Sequence, residues 1–314
     1  MAERKRIALA GATGTIGRAV AGRLLAQGHA LTCLIRRGSS ETCLPRGAYA
    51  CPVDFTQTEG LARALAQVAP ETVISCIASR SGAPKDAWEV DHRINSRLLQ
   101  AAEQSGSVSH FILLSAICVQ KPRLVFQHAK LAFEAELIAS RLNHTIVRPT
   151  AFFKSLSGQV ARVMGGKPFL LFGDGALTRC KPISDDDLAR FISECVSTPG
   201  RRGKVLPIGG QGPAITPREQ GEMLFELTGQ KPRYRSVSPR MFDYAERLLS
   251  AGAPISDWFA AKAEYARIAR YYATESMLVL DRETGEYSPE ATPEYGTQTL
   301  REHYRGLIEA RREA

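Results

Sequence analysis

A glycine-spaced turn near the beginning of the chain restricts the possible folds more than any other feature. The apolar run RIALA at 6–10 leads directly into GATGTIG at 11–17, and a segment with helical spacing follows. In such a loop the first glycine permits a tight turn, the second lets the backbone approach a pyrophosphate, and the third lets the helix pack close to the sheet. The free N–H groups at the helix start then favour phosphate binding. The residues predicted to hold a dinucleotide are Gly11, Ala12, Thr13, Gly14, Thr15, Ile16 and Gly17.

Short apolar runs alternate with helix-like stretches through the first half of the chain. The runs lie at 6–10, 30–35, 48–53, 72–78, 110–116 and 144–149. The first five are rich in Val, Ile, Leu or Cys and bounded by turn or cap residues, which is typical of strands buried on both faces of a parallel sheet. Repeated strand–helix–strand units predict right-handed crossovers. The predicted class is α/β, a Rossmann-type doubly wound parallel sheet with a smaller C-terminal substrate-binding lobe.

The alternation loosens after about residue 149. Residues 165–175 indicate a hairpin or a loop–strand segment, and 204–210 indicate a returning strand. Helices are predicted at 184–196, where Ser184 and Asp187 match a capping box, and at 216–229, which has a Thr-Pro start and a Gly stop. The predicted NADP-binding Rossmann domain comprises 1–150, with elements returning from 184–229, and the predicted substrate-binding lobe comprises 151–183 and 230–314.

The end of the second predicted strand indicates which nucleotide is bound. An enzyme that uses NAD usually has an acidic residue there to hold the ribose hydroxyls, whereas this chain has Arg36 and Arg37. Two guanidinium groups cannot accept hydrogen bonds from hydroxyls, but they match a 2′-phosphate in charge and geometry. The predicted cofactor is therefore NADP (NADPH), and a solvated basic turn is the alternative. Further residues predicted to line the cofactor, mostly at strand ends, are Asp54, Phe55, Cys76, Ile77, Ala78, Lys130 and Pro149.

A lysine one helical turn after a phenylalanine bears on the chemistry. Phe126 and Lys130 share one helix face because they are four residues apart. In carbonyl reductases of this fold a tyrosine at the earlier position protonates the alkoxide, and the lysine holds the nicotinamide ribose. A lysine without that tyrosine favours reduction of a conjugated carbon–carbon double bond, although a surface lysine is the alternative. The predicted catalytic residues are Lys130, Phe126 and Ser115, which ends the fifth strand beside the expected nicotinamide.

Composition limits the partners and the cellular location. The net charge of +9 favours anionic partners such as a phosphate-bearing cofactor or a carboxylate substrate, although scattered surface lysines and arginines would give the same total. No nucleic-acid partner is predicted, because no basic stripe is interleaved with aromatic residues. The seven cysteines include no Cys-x-x-Cys pair, which favours buried thiols over disulfides or a metal site. No signal peptide or membrane span is apparent, so a cytoplasmic location is expected.

Several segments carry a family resemblance that covers nearly the whole chain. The more specific ones are CKPISDDDLARFI, VLPIGGQGPAITPREQGEMLF and RYYATESMLVLD, and LLSAICVQKP, FQHAKLAFEAEL and IVRPTAFFKSLSGQ accompany them. Together with GATGTIGRAV, they resemble the NADPH-dependent divinyl (proto)chlorophyllide 8-vinyl reductases, which are atypical members of the extended short-chain dehydrogenase/reductase group.

The resemblance implies reduction of the C8 vinyl group of a 3,8-divinyl (proto)chlorophyllide a to ethyl with NADPH, in chlorophyll or bacteriochlorophyll synthesis. It implies a Mg-tetrapyrrole substrate, and a substrate this apolar would allow contact with photosynthetic membranes at their periphery. A flat apolar substrate with a propionate needs an apolar cleft with a cationic rim. The residues predicted to supply that cleft, unless they are core residues, are Phe152, Phe153, Lys154, Phe169, Phe172 and Arg179.

Two other functions remain open at this point. One is an NmrA-like regulatory protein that senses NADP without catalysis, since a lapsed tyrosine is typical of that class too. The other is an isoflavone-reductase-like NADPH reductase of another conjugated alkene. A sugar-nucleotide enzyme of the same fold is disfavoured, because such enzymes need the missing tyrosine.

Overall fold

A computed structural model describes residues 3–254 and 256–313, so residues 1, 2, 255 and 314 of the predicted domains lie outside it. The strands are β1 (Arg6–Ala10), β2 (Ala30–Arg36), β3 (Tyr49–Val53), β4 (Thr72–Ser75), β5 (His110–Leu114), β6 (Asn143–Pro149), β7 (Phe169–Phe172), β8 (Lys204–Ile208), β9 (Tyr234–Val237), β10 (Val279–Leu280) and β11 (Tyr287–Ser288). The α-helices are α1 (Thr15–Ala26), α2 (Thr58–Val68), α3 (Pro84–Asp86), α4 (Ile94–Ser105), α5 (Val125–Ala139), α6 (Phe153–Leu156), α7 (Val160–Met164), α8 (Asp185–Cys195), α9 (Pro217–Thr228), α10 (Arg240–Gly252), α11 (Asp257–Thr274) and α12 (Leu300–Glu313). A π-helix spans Ala87–Arg93, and 3₁₀ turns lie at Ile117–Gln120, Ser157–Gln159 and Pro199–Arg201.

Within the described ranges, seven strands form one sheet in the order β3-β2-β1-β4-β5-β6-β8. The neighbouring strands from β3 to β6 pair in parallel. The chain winds outward from β1 in both directions, so the sheet is doubly wound, and the strand order reverses between β1 and β4. The predicted α/β class with a Rossmann-type sheet is confirmed.

The central strands are buried because their sequences are apolar on both faces. Ile7, Ala8, Leu9 and Ala10 of β1 have no exposed surface, as expected for a strand with helices on both sides. Each predicted strand run overlaps a strand of the structure, with ends that differ by at most three residues. β2 continues one residue further, to Arg36, and β4 ends at Ser75. The chain therefore leaves the sheet before Cys76, inside the predicted run 72–78.

The described chain divides into two compact units. The first comprises Val125–Arg148, Leu188–Leu206 and the described part of Met1–Val119. The second comprises Gln120–Leu124, Pro149–Asp187 and the described part of Pro207–Ala314. Of the segment 184–229 that was predicted to return to the first domain, this division places 188–206 in the first unit, and 184–187 and 207–229 in the second. Helix α9 belongs to the second unit because its Leu224 and Phe225 are buried in that unit's core.

The second unit bears out the predicted helix ends. Thr216 caps α9, and Glu219 completes a capping box, while Gly229 ends the helix with φ of 70°. Residues 165–175 form a loop and a strand rather than a hairpin, since β7 pairs in parallel with β9. The Ser184 hydroxyl caps α8 by accepting a bond from the Asp187 backbone N–H at 3.0 Å. The Asp187 carboxylate accepts bonds from the backbone N–H groups of Thr297 and Gln298.

A buried carboxylate explains why the short segment Gln120–Leu124 groups with the second unit. Glu275 has a side chain only 7% exposed, and it lies 2.8 Å from the Lys121 ammonium and 2.9 Å from the Arg123 guanidinium. The Tyr271 hydroxyl donates to the Lys121 carbonyl at 3.2 Å. The segment RYYATESMLVLD, which contains Tyr271 and Glu275, thus fixes the position of residues 120–124.

A second buried carboxylate organises the first unit. Glu134 on α5 is 2% exposed and accepts hydrogen bonds from Arg148 in β6. It also accepts a hydrogen bond from the hydroxyl of Ser115, the residue directly after β5, at 2.5 Å. Glu134 therefore joins α5 to β6 through an ion pair and to the residue after β5 through a hydrogen bond.

We expect Glu134→Ala to lower the free energy of unfolding by about 3–5 kcal/mol, because Arg148 would remain buried without its carboxylate. Urea unfolding followed by circular dichroism measures the loss. The matched control is Glu136→Ala on the same helix, where the exposed carboxylate should contribute roughly 0–1 kcal/mol. Equal losses in the two variants would contradict the assigned role of Glu134.

Candidate functional site: a nucleotide cleft in the first unit

The glycine loop is folded so tightly that side chains are excluded from it. Gly11 has φ of 83°, and a Cβ there would lie 2.7 Å from the Cys76 carbonyl carbon. A Cβ on Gly17 would lie 2.1 Å from the Gly11 carbonyl oxygen. The Gly14 N–H donates to the same oxygen at 3.1 Å. The loop therefore joins β1 to α1 with its backbone against the end of β4, at the point where the strand order reverses.

A cleft of about 360 Å³ opens beside this loop in the first unit. The predicted residues that line it are Gly11, Thr13, Gly14, Arg36, Phe55, Cys76, Ile77 and Ala78. Lining residues that the sequence analysis missed are Leu34, Ile35, Ser39, Ser79, Arg80, Asp86, Val90 and Ile94. Predicted cofactor residues outside this lining are Ala12, Thr15, Ile16, Gly17, Arg37, Asp54 and Lys130, and Pro149 belongs to the second unit.

The charged residues of the cleft lining are two arginines and one aspartate, Asp86, so the balance of charge favours an anionic ligand. Arg36 and Arg80 bring two guanidinium groups to the lining, and Ser39 adds a hydroxyl. The Cys76 thiol stays neutral there because burial raises its pKa to about 12. Asp54, just after β3, is held by its own turn, since hydrogen bonds from Thr56 lower the pKa of its carboxyl.

Lys130 lies beside a small internal gap, where Ile77 lines both this gap and the nucleotide cleft. The Lys130 ammonium is 2.9 Å from an Asp91 carboxylate oxygen, and the two side chains are 12% and 0% exposed. Ser115 borders the same gap with its hydroxyl bonded to Glu134. Phe126, one turn before Lys130 on α5, is half-buried and lines neither of these two hollows. The structure thus brings Lys130 and Ser115 together and adds Asp91.

The residues predicted to contact a substrate occupy different environments in the second unit. Phe153 and Phe169 are 3% and 2% exposed and belong to that unit's apolar core. The Phe172 ring packs edge-on against Phe242 with centroids 5.4 Å apart. Phe152 is half-buried, while Lys154 and Arg179 are exposed. Core packing accounts for the two buried rings without a ligand.

We expect Gly17→Ala to weaken nucleotide binding by about ten- to a hundredfold, because the added methyl group must displace the Gly11 carbonyl at about 1–3 kcal/mol. Titration followed by nucleotide fluorescence measures the dissociation constant. Gly22→Ala on the same helix is the matched control, since a Cβ there meets nothing within 4 Å. That change should leave binding unaltered and stabilise α1 by up to about 1 kcal/mol. Equal nucleotide affinities of the two variants would show that the close contact between Gly11 and Gly17 does not contribute to nucleotide binding.

Comparison with known proteins agrees with this geometry. Residues 11–199 match the NAD(P)H-binding family. The chain is 47% identical to a rice protein named divinyl chlorophyllide a 8-vinyl-reductase, chloroplastic, over 96% of this chain and 78% of that one. It is 44% identical to the Arabidopsis thaliana protein of the same name, over 96% and 76%.

Among solved structures, an NADPH-dependent quinone oxidoreductase from Escherichia coli, complexed with NADPH, superposes with a TM-score of 0.71. Its identity is 19% over 96% of this chain and 99% of that one, which establishes a shared fold. The identity to the two plant proteins is far higher and runs through both units. The chain therefore belongs to the family of divinyl chlorophyllide a 8-vinyl-reductases.

Proposed function

We propose that this protein reduces the C8 vinyl group of a 3,8-divinyl (proto)chlorophyllide a to ethyl, with NADPH as the hydride donor. The observation that carries the proposal is the 47% identity to a protein of that name, which extends over 96% of the chain. The identity extends through the second unit. That unit does not contain the glycine loop, so the match does not depend on a cofactor motif that many families share. The absence of a tyrosine at position 126 agrees with a reaction that forms no alkoxide.

NADPH rather than NADH is the proposed cofactor because of the charge at one end of the cleft. Arg36 ends β2, where an acidic residue would serve NAD, and Ser39 and Arg80 line the same cleft. Guanidinium groups bind phosphate oxygens through charge-assisted hydrogen bonds. Arg37 is exposed and lies outside the lining, so the proposal assigns 2′-phosphate recognition to Arg36 first.

The proposed mechanism assigns separate tasks to residues of this chain. Bound NADPH would supply the hydride to the terminal vinyl carbon, and the macrocycle would delocalise the resulting charge until a proton arrives. Lys130 is proposed to hold the nicotinamide ribose, and Phe126 to present an apolar wall. The Ser115 hydroxyl donates a hydrogen bond to the Glu134 carboxylate, which favours a positioning role for Ser115. The proton is then proposed to come from Lys130 through the ribose hydroxyl, or from solvent.

Mixing the purified protein with divinyl chlorophyllide and NADPH should shift the Soret band and oxidise one NADPH per vinyl group. Arg36→Ala should raise the KM for NADPH about tenfold and change the KM for NADH little, because a charged hydrogen bond is lost. Arg37→Ala is the matched control and should retain the wild-type preference for NADPH over NADH. A regulatory protein would bind NADPH and leave the pigment spectrum unchanged. A reductase of another alkene would consume NADPH only with that alkene.

We also infer that the protein is cytoplasmic and contacts an anionic membrane surface through the exposed face of α10. Met241, Tyr244 and Leu248 are 51%, 70% and 78% exposed at helical spacing, and the exposed Arg240 and Arg247 lie beside them. An exposed apolar stripe with flanking arginines is typical of helices that lie on anionic bilayers. No helix in the described part of the chain is long and apolar enough to cross a bilayer.

The protein should sediment with phosphatidylglycerol vesicles and much less with phosphatidylcholine vesicles. Replacing Met241, Tyr244 and Leu248 together by serine should lower the bound fraction about tenfold or more, because apolar burial is lost. Tyr49→Ser, at an equally exposed aromatic residue of β3, serves as the control and should bind normally. Unchanged binding of the triple variant would exclude α10 as the contact.

A further inference from the structure

A fully buried aspartate connects Lys130 to the wall of the nucleotide cleft. One Asp91 carboxylate oxygen lies 2.9 Å from the Lys130 ammonium and accepts the Ser79 backbone N–H at 3.2 Å. The other carboxylate oxygen accepts a hydrogen bond from the Ser79 hydroxyl at 2.5 Å. Ser79 lines the nucleotide cleft, directly after Cys76, Ile77 and Ala78. Asp91 therefore bonds both the lysine and the loop that borders the cofactor.

The local backbone explains how a carboxylate reaches this place. Asp91 lies in the π-helix Ala87–Arg93, which packs against α5 and continues directly into α4. Such wide turns are rare and occur frequently at functional sites. The Asn95 side-chain amide donates to the carbonyls of Val90 and Asp91 at 3.2 Å each, and its oxygen accepts the Ser75 hydroxyl proton at 2.5 Å. The wide turn is thus pinned to the end of β4.

We propose that Asp91 is a positioning residue that aims the Lys130 ammonium at the nicotinamide ribose and holds the Ser79 loop against the cofactor. The inference rests on the proposed function and extends it. Asp91 acts through other residues, since it lines the internal gap and lies outside the cleft lining. An ammonium has three N–H donors, so a bond to Asp91 fixes the direction of the other two. A buried ammonium also needs such a partner to stay charged in place.

The experiment is a double-mutant cycle between Asp91→Asn and Lys130→Met, measured by vinyl-reduction kinetics and by NADPH titration. Asp91→Asn keeps the size of the side chain and removes its charge. We expect kcat to fall about a hundredfold and the KM for NADPH to change about tenfold or less, because misaligned groups lose rate more than affinity. In the Lys130→Met background the same change should alter kcat less than about threefold, since no ammonium remains to be aimed and the oxygen of the introduced asparagine can still accept a hydrogen bond from the Ser79 loop.

Two controls separate positioning from folding. Glu136→Gln changes a carboxylate that also joins α5 to the π-helix, through His92 at 2.6 Å, but does not contact Lys130. It should keep wild-type kcat. The double variant leaves no unpaired buried charge, so its Tm should exceed that of Lys130→Met alone.

Independent, multiplying effects of Asp91→Asn and Lys130→Met on kcat would overturn the proposal, as would a wild-type kcat in Asp91→Asn. If the wild-type protein reduces no vinyl group, the proposed function fails on its own. The NADPH dissociation constants of the same four proteins then decide the role of Asp91. Non-additive changes in the free energy of NADPH binding support the proposed role of Asp91, and additive changes exclude it.

Discussion

The backbone contact between the glycine loop and the end of β4 is the constraint on which the rest of the nucleotide site depends. Gly11 can approach the Cys76 carbonyl only without a side chain, and Gly17 can approach Gly11 only for the same reason. These two contacts bring α1, β1 and β4 together where the sheet reverses its strand order. The cleft exists because neighbouring strands carry their chains away from each other at this point.

Helix α5 carries the polar chemistry of the first unit, because it supplies one side chain to each of two buried ion pairs, Lys130 and Glu134, one helical turn apart. Glu134 belongs to α5 and pairs with Arg148, whereas Asp91 comes from the π-helix and pairs with Lys130. Each buried charge thus has an opposite charge within contact distance, which is what a low-dielectric interior requires. The Ser115 hydroxyl donates a hydrogen bond to Glu134, and the Ser79 hydroxyl donates one to Asp91.

Much of the fold could be predicted from the sequence because local signals and tertiary structure agree at many elements. Apolar runs, glycine spacing and the Thr216 cap each determine a local geometry that packing preserves. Arg80 and Asp91 were missed because both stand in polar stretches where spacing cannot separate a buried group from a solvated one. Only tertiary contacts with Lys130 and the cleft distinguish them. Phe153 and Phe169 show the converse, since an aromatic residue within or shortly after a strand suits a core as well as a ligand site.

The π-helix before α4 has a consequence for everything that follows it in the chain. An α-helix advances about 100° per residue, so one residue added within a turn rotates the later residues by that angle. Asn95 lies on the side that meets Ser75, and Leu98 and Leu99 lie on sides that are buried in the core of the first unit. Regularising the wide turn would put those residues out of phase with their partners. The irregular turn therefore sets the rotational register of α4 and, through it, the packing of this side of the sheet.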